Sequence, residues 1–274
     1  MRSSLKGDLI PYGTYIFHSR FRRAVNFTDG NVLVTLVTGE LGPGPLNVVV
    51  DHLDPEPLGT LAVNRDGIQV DGRSLCTPET PRYRSGWAAQ GWSRESLALR
   101  LPWFRARILA QAGENSLAFL LAPGPHRGSG FQRAYAERMA AGAEALFAAD
   151  PAAGARQLKG CGPGLTPGGD DFLAGHLFGL HGLRSLCGGS LRPRLRAVHR
   201  AALGGNPFSN TFLHLACLGR PSGPLRELLD ALAGGTLEAL NRAADRMLAV
   251  GASSGADLAT GLHLTLSRGV ALWP

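Results

Sequence analysis

Gly160-Cys-Gly-Pro-Gly-Leu-Thr-Pro-Gly-Gly-Asp-Asp-Phe-Leu-Ala-Gly175 runs directly into His-Leu-Phe-Gly-Leu-His-Gly-Leu183, a glycine-rich turn feeding an apolar helix-like segment. Thr166 followed by Pro167 predicts a helix start, with Thr as N-cap and Pro at the first helical position, where its missing N–H costs nothing. The helix then carries Gly175, Gly179 and Gly182 among leucines. Each interior glycine costs about 0.8–1.0 kcal/mol relative to Ala, so close approach of a second helix is expected to offset it. A shorter echo, Gly251-Ala-Ser-Ser-Gly-Ala-Asp-Leu-Ala-Thr-Gly261, supplies the partner. Aligned on each other, the two windows coincide at Gly169/Gly255, Asp171/Asp257 and Gly175/Gly261. Helices packed side by side through those glycines would bring Asp171 and Asp257 together, as two walls of one site.

Outward from this pair, residues after Gly130 keep an Ala/Leu/Arg composition with helical spacing. Helices are predicted over 134–149, 172–186, 191–203, 211–218, 225–232, 236–250 and 257–266. Upstream the chain is β-rich: Val32–Thr38, Leu46–Val50, Leu61–Val63 and Ile68–Val70 are short apolar runs between Gly/Pro punctuation. Asn64-Arg-Asp-Gly67 marks a hairpin, because Asp-Gly supplies the positive φ of a tight turn. Ser116–Leu121 reads either as a strand or as the end of a helix beginning near Pro102. The segment Ala122-Pro-Gly-Pro-His-Arg-Gly-Ser-Gly130 is the expected boundary. The predicted class is therefore α+β: an antiparallel β domain over residues 1–125, a sheet or small barrel, then an α-helical domain over residues 126–274.

At 274 residues, 44% hydrophobic and 18% charged, the chain can bury proper cores and reads as globular. No run reaches the ~20 apolar residues of a membrane span. No apolar stretch follows Arg2 and Lys6, so no secretory signal is expected. The four cysteines form no C-x-x-C pair, consistent with a reduced, cytoplasmic protein. Net charge is +7, and nearly all basic residues are arginine. Two readings of the arginines stand: recognition of an anionic small molecule, or a solvated coat whose composition follows codon bias. Zinc-finger spacing, aromatic RNA-binding strands and a continuous basic helix are all missing, which argues against a nucleic-acid partner.

The glycine-rich loop lacks the Gly-Lys-Ser/Thr ending of a Walker A loop and the G-x-G-x-x-G spacing of a dinucleotide site. Three readings of Asp170 and Asp171 stand. They are charges favoured by the helix N-terminus, or they hold Mg²⁺ against a phosphate or carboxylate, or they belong to a metal-free polar site. No organic cofactor is indicated. Gly251-Ala-Ser-Ser-Gly255 matches the G-x-S-x-G of a nucleophile elbow, but the segment before it reads as helix where that motif needs a strand.

Gly162 to Gly175 closely resembles the hallmark G-P-G-L-T-P-S-G-D-D-x-L-x-G of the AllH/YlbF-type bacterial family, subunits of oxamate carbamoyltransferase in allantoin degradation and purine catabolism. Gly251 to Gly261 is similar to a second hallmark, G-x-[ST]-S-G-x-D-x-L-x-G, with Leu258-Ala-Thr displacing the apolar position. Ser209, Leu213, Ala216 and Gly219 resemble a middle element. Two departures are Gly168, where the family has Ser, and Asn206-Pro-Phe-Ser209, which lacks a Thr just upstream. The resemblance implies conversion of oxalurate plus phosphate to oxamate plus carbamoyl phosphate, in complex with partner subunits. On that reading Asp170, Asp171 and Asp257 are the catalytic carboxylates, and Asp170 and Asp171 hold Mg²⁺ or orient an amide. Gly162, Gly164, Gly168, Gly169 and Gly255 offer backbone N–H groups to an oxyanion, and Thr166, Ser209, Ser253 and Ser254 offer hydroxyls. A ligand-binding scaffold subunit and a stand-alone transferase or kinase on a carboxylated amide are the alternatives.

Overall fold

Nine strands form one sheet in a computed structural model that describes residues 1–122, 129–187 and 191–272. They are β1 (Ser3–Gly7), β2 (Gly13–Arg20), β3 (Ala24–Thr28), β4 (Leu33–Thr38), β5 (Asn47–Val50), β6 (Thr60–Asn64), β7 (Gly67–Val70), β8 (Arg73–Cys76) and β9 (Arg82–Tyr83), in the order β8-β7-β6-β2-β3-β4-β5-β1-β9. Only β4–β5 and β1–β9 pair in parallel. The sheet curls until β1 reaches β8, where Ser3 Oγ donates to the Leu75 carbonyl at 2.5 Å. Its concave core holds Tyr15, Phe27, Leu36, Val48 and Leu61. The expected hairpin is present, with Asn64 opposite Gly67 and φ +133° at Gly67. β1, β2, β3, β8 and β9 had no sequence expectation. In β2 only Tyr15 is buried, so no apolar alternation marks that strand.

The β unit comprises Met1–Trp87 with Arg220–Arg226, and the helical unit Ala88–Gly219 with Glu227–Pro274. The boundary expected at Ala122–Gly130 falls mostly on residues 123–128, outside the described residues. In the β unit the Tyr83 hydroxyl donates to the Pro221 carbonyl, and the Arg226 guanidinium donates to the carbonyls of Arg84 and Gly86.

Among the described residues the helices are α1 (Arg94–Gln111), α2 (Gly130–Ala145), α3 (Pro151–Leu158), α4 (Gly168–Leu183), α5 (Arg192–Ala202), α6 (Pro207–Cys217), α7 (Gly223–Gly234), α8 (Leu237–Leu248) and α9 (Ser254–Leu272). α1 begins well before Pro102, because Ser93 and Ser96 form a capping box. Ser116–Leu121 is neither strand nor helix end: Leu117–Leu121 is a separate 3-10 turn capped by Ser116. The unexpected α3 exists because Asp150 caps it and Pro151 starts it.

α4 is the axis of the helical unit, with every residue but His181 buried. It lies against α9 at backbone contact. A Cβ on Gly175 would stand 2.0 Å from the Leu258 carbonyl oxygen, and one on Gly261 would stand 2.1 Å from that of Phe172. The two contacts are mirror images, since Leu258 and Phe172 are related by the same offset as Gly261 and Gly175. The helix pair is thus a pseudo-twofold repeat. Its interior polar group, His176, is held neutral because burial pulls its pKa down to about 3. His176 Nδ1 lies 2.7 Å from Thr265 Oγ1, and that hydroxyl donates to the Gly261 carbonyl, so the imidazole donates from Nδ1.

Candidate functional site

The junctions α3–α4 and α8–α9 meet at their loops. Thr166 Oγ1 donates to Asp171 Oδ2 at 3.0 Å and lies 3.2 Å from Ser254 Oγ, joining the two glycine-rich segments directly. Asp171 and Asp257 begin the paired helices at equivalent positions. Their backbone N–H groups donate to the equivalent carbonyls of Pro167 and Ser253. The two loops expected from the echo to lie together therefore do so.

Helix α4 starts one position later than the sequence predicts. Pro167 occupies the cap position without a side-chain bond, and Thr166 turns its hydroxyl onto Asp171. Gly160, Gly162 and Gly164 all adopt positive φ, which lets the loop fold back over the helix start. Asp170 is bound into that loop, accepting the Gly160 N–H at 2.8 Å. The Gly169 N–H donates to the Cys161 carbonyl, and the Gly255 N–H to that of Val250, so neither faces a ligand. These two glycines serve close packing: a Cβ on them would lie 2.0 Å from the Leu158 oxygen and 2.1 Å from the Met247 oxygen. Among the described residues the amides of Gly162, Gly164 and Gly168 have no hydrogen-bond acceptor. Ser209 is buried near the start of α6 with its hydroxyl unpaired, and no hydrogen bond joins it to the carboxylates. Its helix reaches the loop through Asn206, whose amide donates to the Leu165 carbonyl at 2.8 Å.

Asp170, Asp171 and Asp257 are 4%, 8% and 1% exposed, whereas Thr166, Ser253 and Ser254 are half-buried. The hydroxyls form a rim with carboxylates beneath. Burial pushes Asp171 well above the ordinary carboxylate range; the Ser254 and Thr166 hydroxyls pull it back, and the charges of Asp257 and Asp170 push it further up. Burial also raises Asp257 to about 6, against the Leu117 N–H and the Ser253 hydroxyl. Burial is the leading cause at both, and it holds each carboxyl protonated to higher pH than an isolated aspartate.

Sequence reasoning missed three groups around these loops. Tyr135 of α2 lies on the loop, its hydroxyl 3.3 Å from where a Gly162 Cβ would be. Burial, then the charges of Asp257 and Cys161, push its phenol up to about 12. The Leu117 N–H donates to Asp257 Oδ1 at 2.6 Å. Neither contact is local in sequence, and nothing in the chain marks them. The third, Asn206, was legible as an Asn-Pro helix start. The nucleophile-elbow reading of Gly251–Gly255 is excluded, because helices α8 and α9 flank the turn. Cys161 is half-buried and donates to the Gln157 carbonyl.

Gly168 faces Asp257 directly: its Cβ would lie 2.8 Å from Oδ2. Ser254, which bonds Asp171, is its pseudo-symmetric counterpart. Gly168→Ser is expected to set a hydroxyl on Asp257 in the same way and to lower its pKa, because a donor favours the ionised form. Carbon-13 titration of the Asp257 carboxyl checks this; an unchanged midpoint would mean that the new hydroxyl points elsewhere.

A family model described as oxamate carbamoyltransferase subunit AllH matches residues 158–266, from the end of α3 through most of α9. The match covers both glycine-rich junctions and supports the family resemblance read from them. A subunit family implies partner chains. No curated protein and no solved structure matches this chain. Among the described residues no helix is long and apolar enough to cross a membrane.

Proposed function

We propose that this chain, an AllH-family protein by its match over residues 158–266, is a subunit of an oxamate carbamoyltransferase-like enzyme acting on a ureido carboxylate and phosphate. The observation that carries the reading is the convergence of Thr166, Ser254 and Asp171 in one hydrogen-bonded group. In the reaction a phosphate oxygen attacks the carbamoyl carbon of oxalurate, the carbon–nitrogen bond to the oxamate amide breaks, and that nitrogen takes the proton lost by hydrogen phosphate. A carboxyl pair that holds one proton suits this transfer, taking it from phosphate and giving it to the leaving nitrogen. The unpaired amides of Gly162, Gly164 and Gly168 and the hydroxyls of Thr166, Ser253 and Ser254 would hold the anionic oxygens.

Mg²⁺ is the alternative way to neutralise the pair, since a carboxylate that holds the ion carries no proton. Among the described residues no cluster of three or more His, Cys, Asp or Glu is placed to hold a metal. A cation here would therefore be held by one or two carboxylates and completed by substrate phosphate, as Mg²⁺ commonly is. Asp171 and Asp257, flanked by hydroxyls, are the better donors, since Asp170 is engaged by the Gly160 amide. The ion would supply charge neutralisation for the phosphate.

The test is a carbamoyl phosphate assay on the chain co-purified with its partner subunits, beside a thermal-shift titration with phosphate and oxamate, with and without Mg²⁺. A ligand present at 100 times its dissociation constant should add about 2.7 kcal/mol. Carbamoyl phosphate formation that vanishes in Asp171→Ala is the expected result. Full turnover in that variant would sink the assignment. Ligand binding by the isolated chain with no turnover in any complex would favour the scaffold reading.

A further inference from the structure

The β unit contains a second chemically distinctive place, a cavity of about 340 Å³ where the curled sheet closes on itself. It lies at the ends of β1 and β9 and at the β6–β7 hairpin. Small-molecule sites favour the mouths of such barrels, at volumes of roughly 300–1,000 Å³. Lys6, Arg65 and Arg82 line it against a single carboxylate, Asp8, with Val63 and Ile68 as an apolar wall.

The cations are not used up by the fold. Lys6 is 7% exposed, yet its ammonium has one hydrogen bond, to the Thr77 carbonyl at 2.5 Å. An ammonium offers three donors, and a buried charge is ordinarily paired. Glu79 feels Lys6 only from the exposed turn after β8. The guanidinium groups of Arg65 and Arg82 make no hydrogen bond or ion pair among the described residues. Asp8 is the complementary case. Its Oδ2 accepts the Ser85 N–H at 2.9 Å and faces Arg220 at 3.9 Å, whereas Oδ1 is buried and accepts nothing. An atom with no open surface cannot meet a ligand, so Asp8 is a structural acceptor in the wall of the cavity and leaves the cations as its recognition groups.

We propose that this cavity binds a small carboxylate. Lys6, Arg65 and Arg82 take the carboxylate, against the apolar wall of Val63 and Ile68. Guanidinium forks match a carboxylate at two points, which gives orientation as well as charge. The site is separate from the glycine-rich junctions and does not depend on their chemistry.

The test is protection of individual arginines from phenylglyoxal in the intact chain, mapped by mass spectrometry. Oxamate is the carboxylate probe, and acetamide the uncharged control. Oxamate at ten times its dissociation constant should slow modification of Arg65 and Arg82 about tenfold, because only the free site reacts. Acetamide should not protect, because recognition is of the charged carboxylate. Arg65→Gln, an exposed change that leaves the fold alone, should weaken oxamate protection at Arg82. Equal rates with and without oxamate would overturn the site. Equal protection by acetamide would overturn carboxylate recognition. The readout is confined to two arginines of the β unit, so a failed carbamoyl phosphate assay leaves it untouched.

Discussion

Gly175→Ala is expected to lower the melting temperature by about 5–10 °C, or roughly 2–3 kcal/mol. In an ordinary helix the same change would stabilise by about 1 kcal/mol, because Ala is the better helix former. Here the new methyl would meet the Leu258 carbonyl oxygen at 2.0 Å, and that oxygen belongs to the backbone of α9. A backbone cannot swing aside as a side chain does, so the helices must separate. Gly261→Ala drives the same separation from the other side, through the Phe172 carbonyl. The double variant should therefore lose less than the sum of the two, since helices already parted by one methyl accommodate the second. Calorimetry decides the matter: a Gly175→Ala protein that melts with the wild type would show that α4 and α9 are not in backbone contact.

Asp257→Asn should cost about 10²–10⁴ in carbamoyl transfer while making the protein more stable at neutral pH. Burial raises Asp257 to about 6 in the folded state, against the ordinary carboxylate value when unfolded. Between pH 4 and 6 the folded state thus binds more protons than the unfolded one, and stability falls as pH rises through that window. The loss is about 3 kcal/mol, from two pKa units at 1.36 kcal/mol each. Asp171, also raised, acts in the same direction. Asparagine cannot ionise and keeps the oxygen that accepts the Leu117 N–H. Its melting temperature should match wild type near pH 4 and exceed it by several degrees at pH 7.5. A variant destabilised at pH 7.5, together with loss of Mg²⁺-dependent stabilisation, would show that a cation and not a proton neutralises the pair.

Much of the site was legible because its determinants are local. A glycine-rich turn, a proline and two aspartates ahead of an apolar run mark a helix start, and repetition of Gly, Asp and Gly at matched positions marks its partner. Roles within the turn were less legible. Gly169 and Gly255 read as ligand-facing amides but serve packing, because a missing Cβ looks the same in sequence whether a ligand or a carbonyl fills the space. Asp170 and Asp171 read as a pair, although one side chain is held by the Gly160 amide and the other turns to Thr166 and Ser254.

In the β unit, apolar runs identified β4 to β7, whose residues are buried in continuous or alternating fashion. β2 gave no such signal, β8 is polar with only Cys76 buried, and β9 is two residues long. The α+β class and the hairpin at Asn64–Gly67 follow from residues near one another in sequence, where periodicity and turn chemistry act, and the pairing of two glycine-bearing helices from the repetition of one such local pattern in a distant segment. The raised pKa values of Asp171 and Asp257, the approach of Tyr135 and Leu117, and the cationic cavity around Lys6 and Asp8 were decided by the tertiary structure alone. Desolvation and Coulomb interaction depend on distance through space, and here they act between segments that the chain keeps far apart.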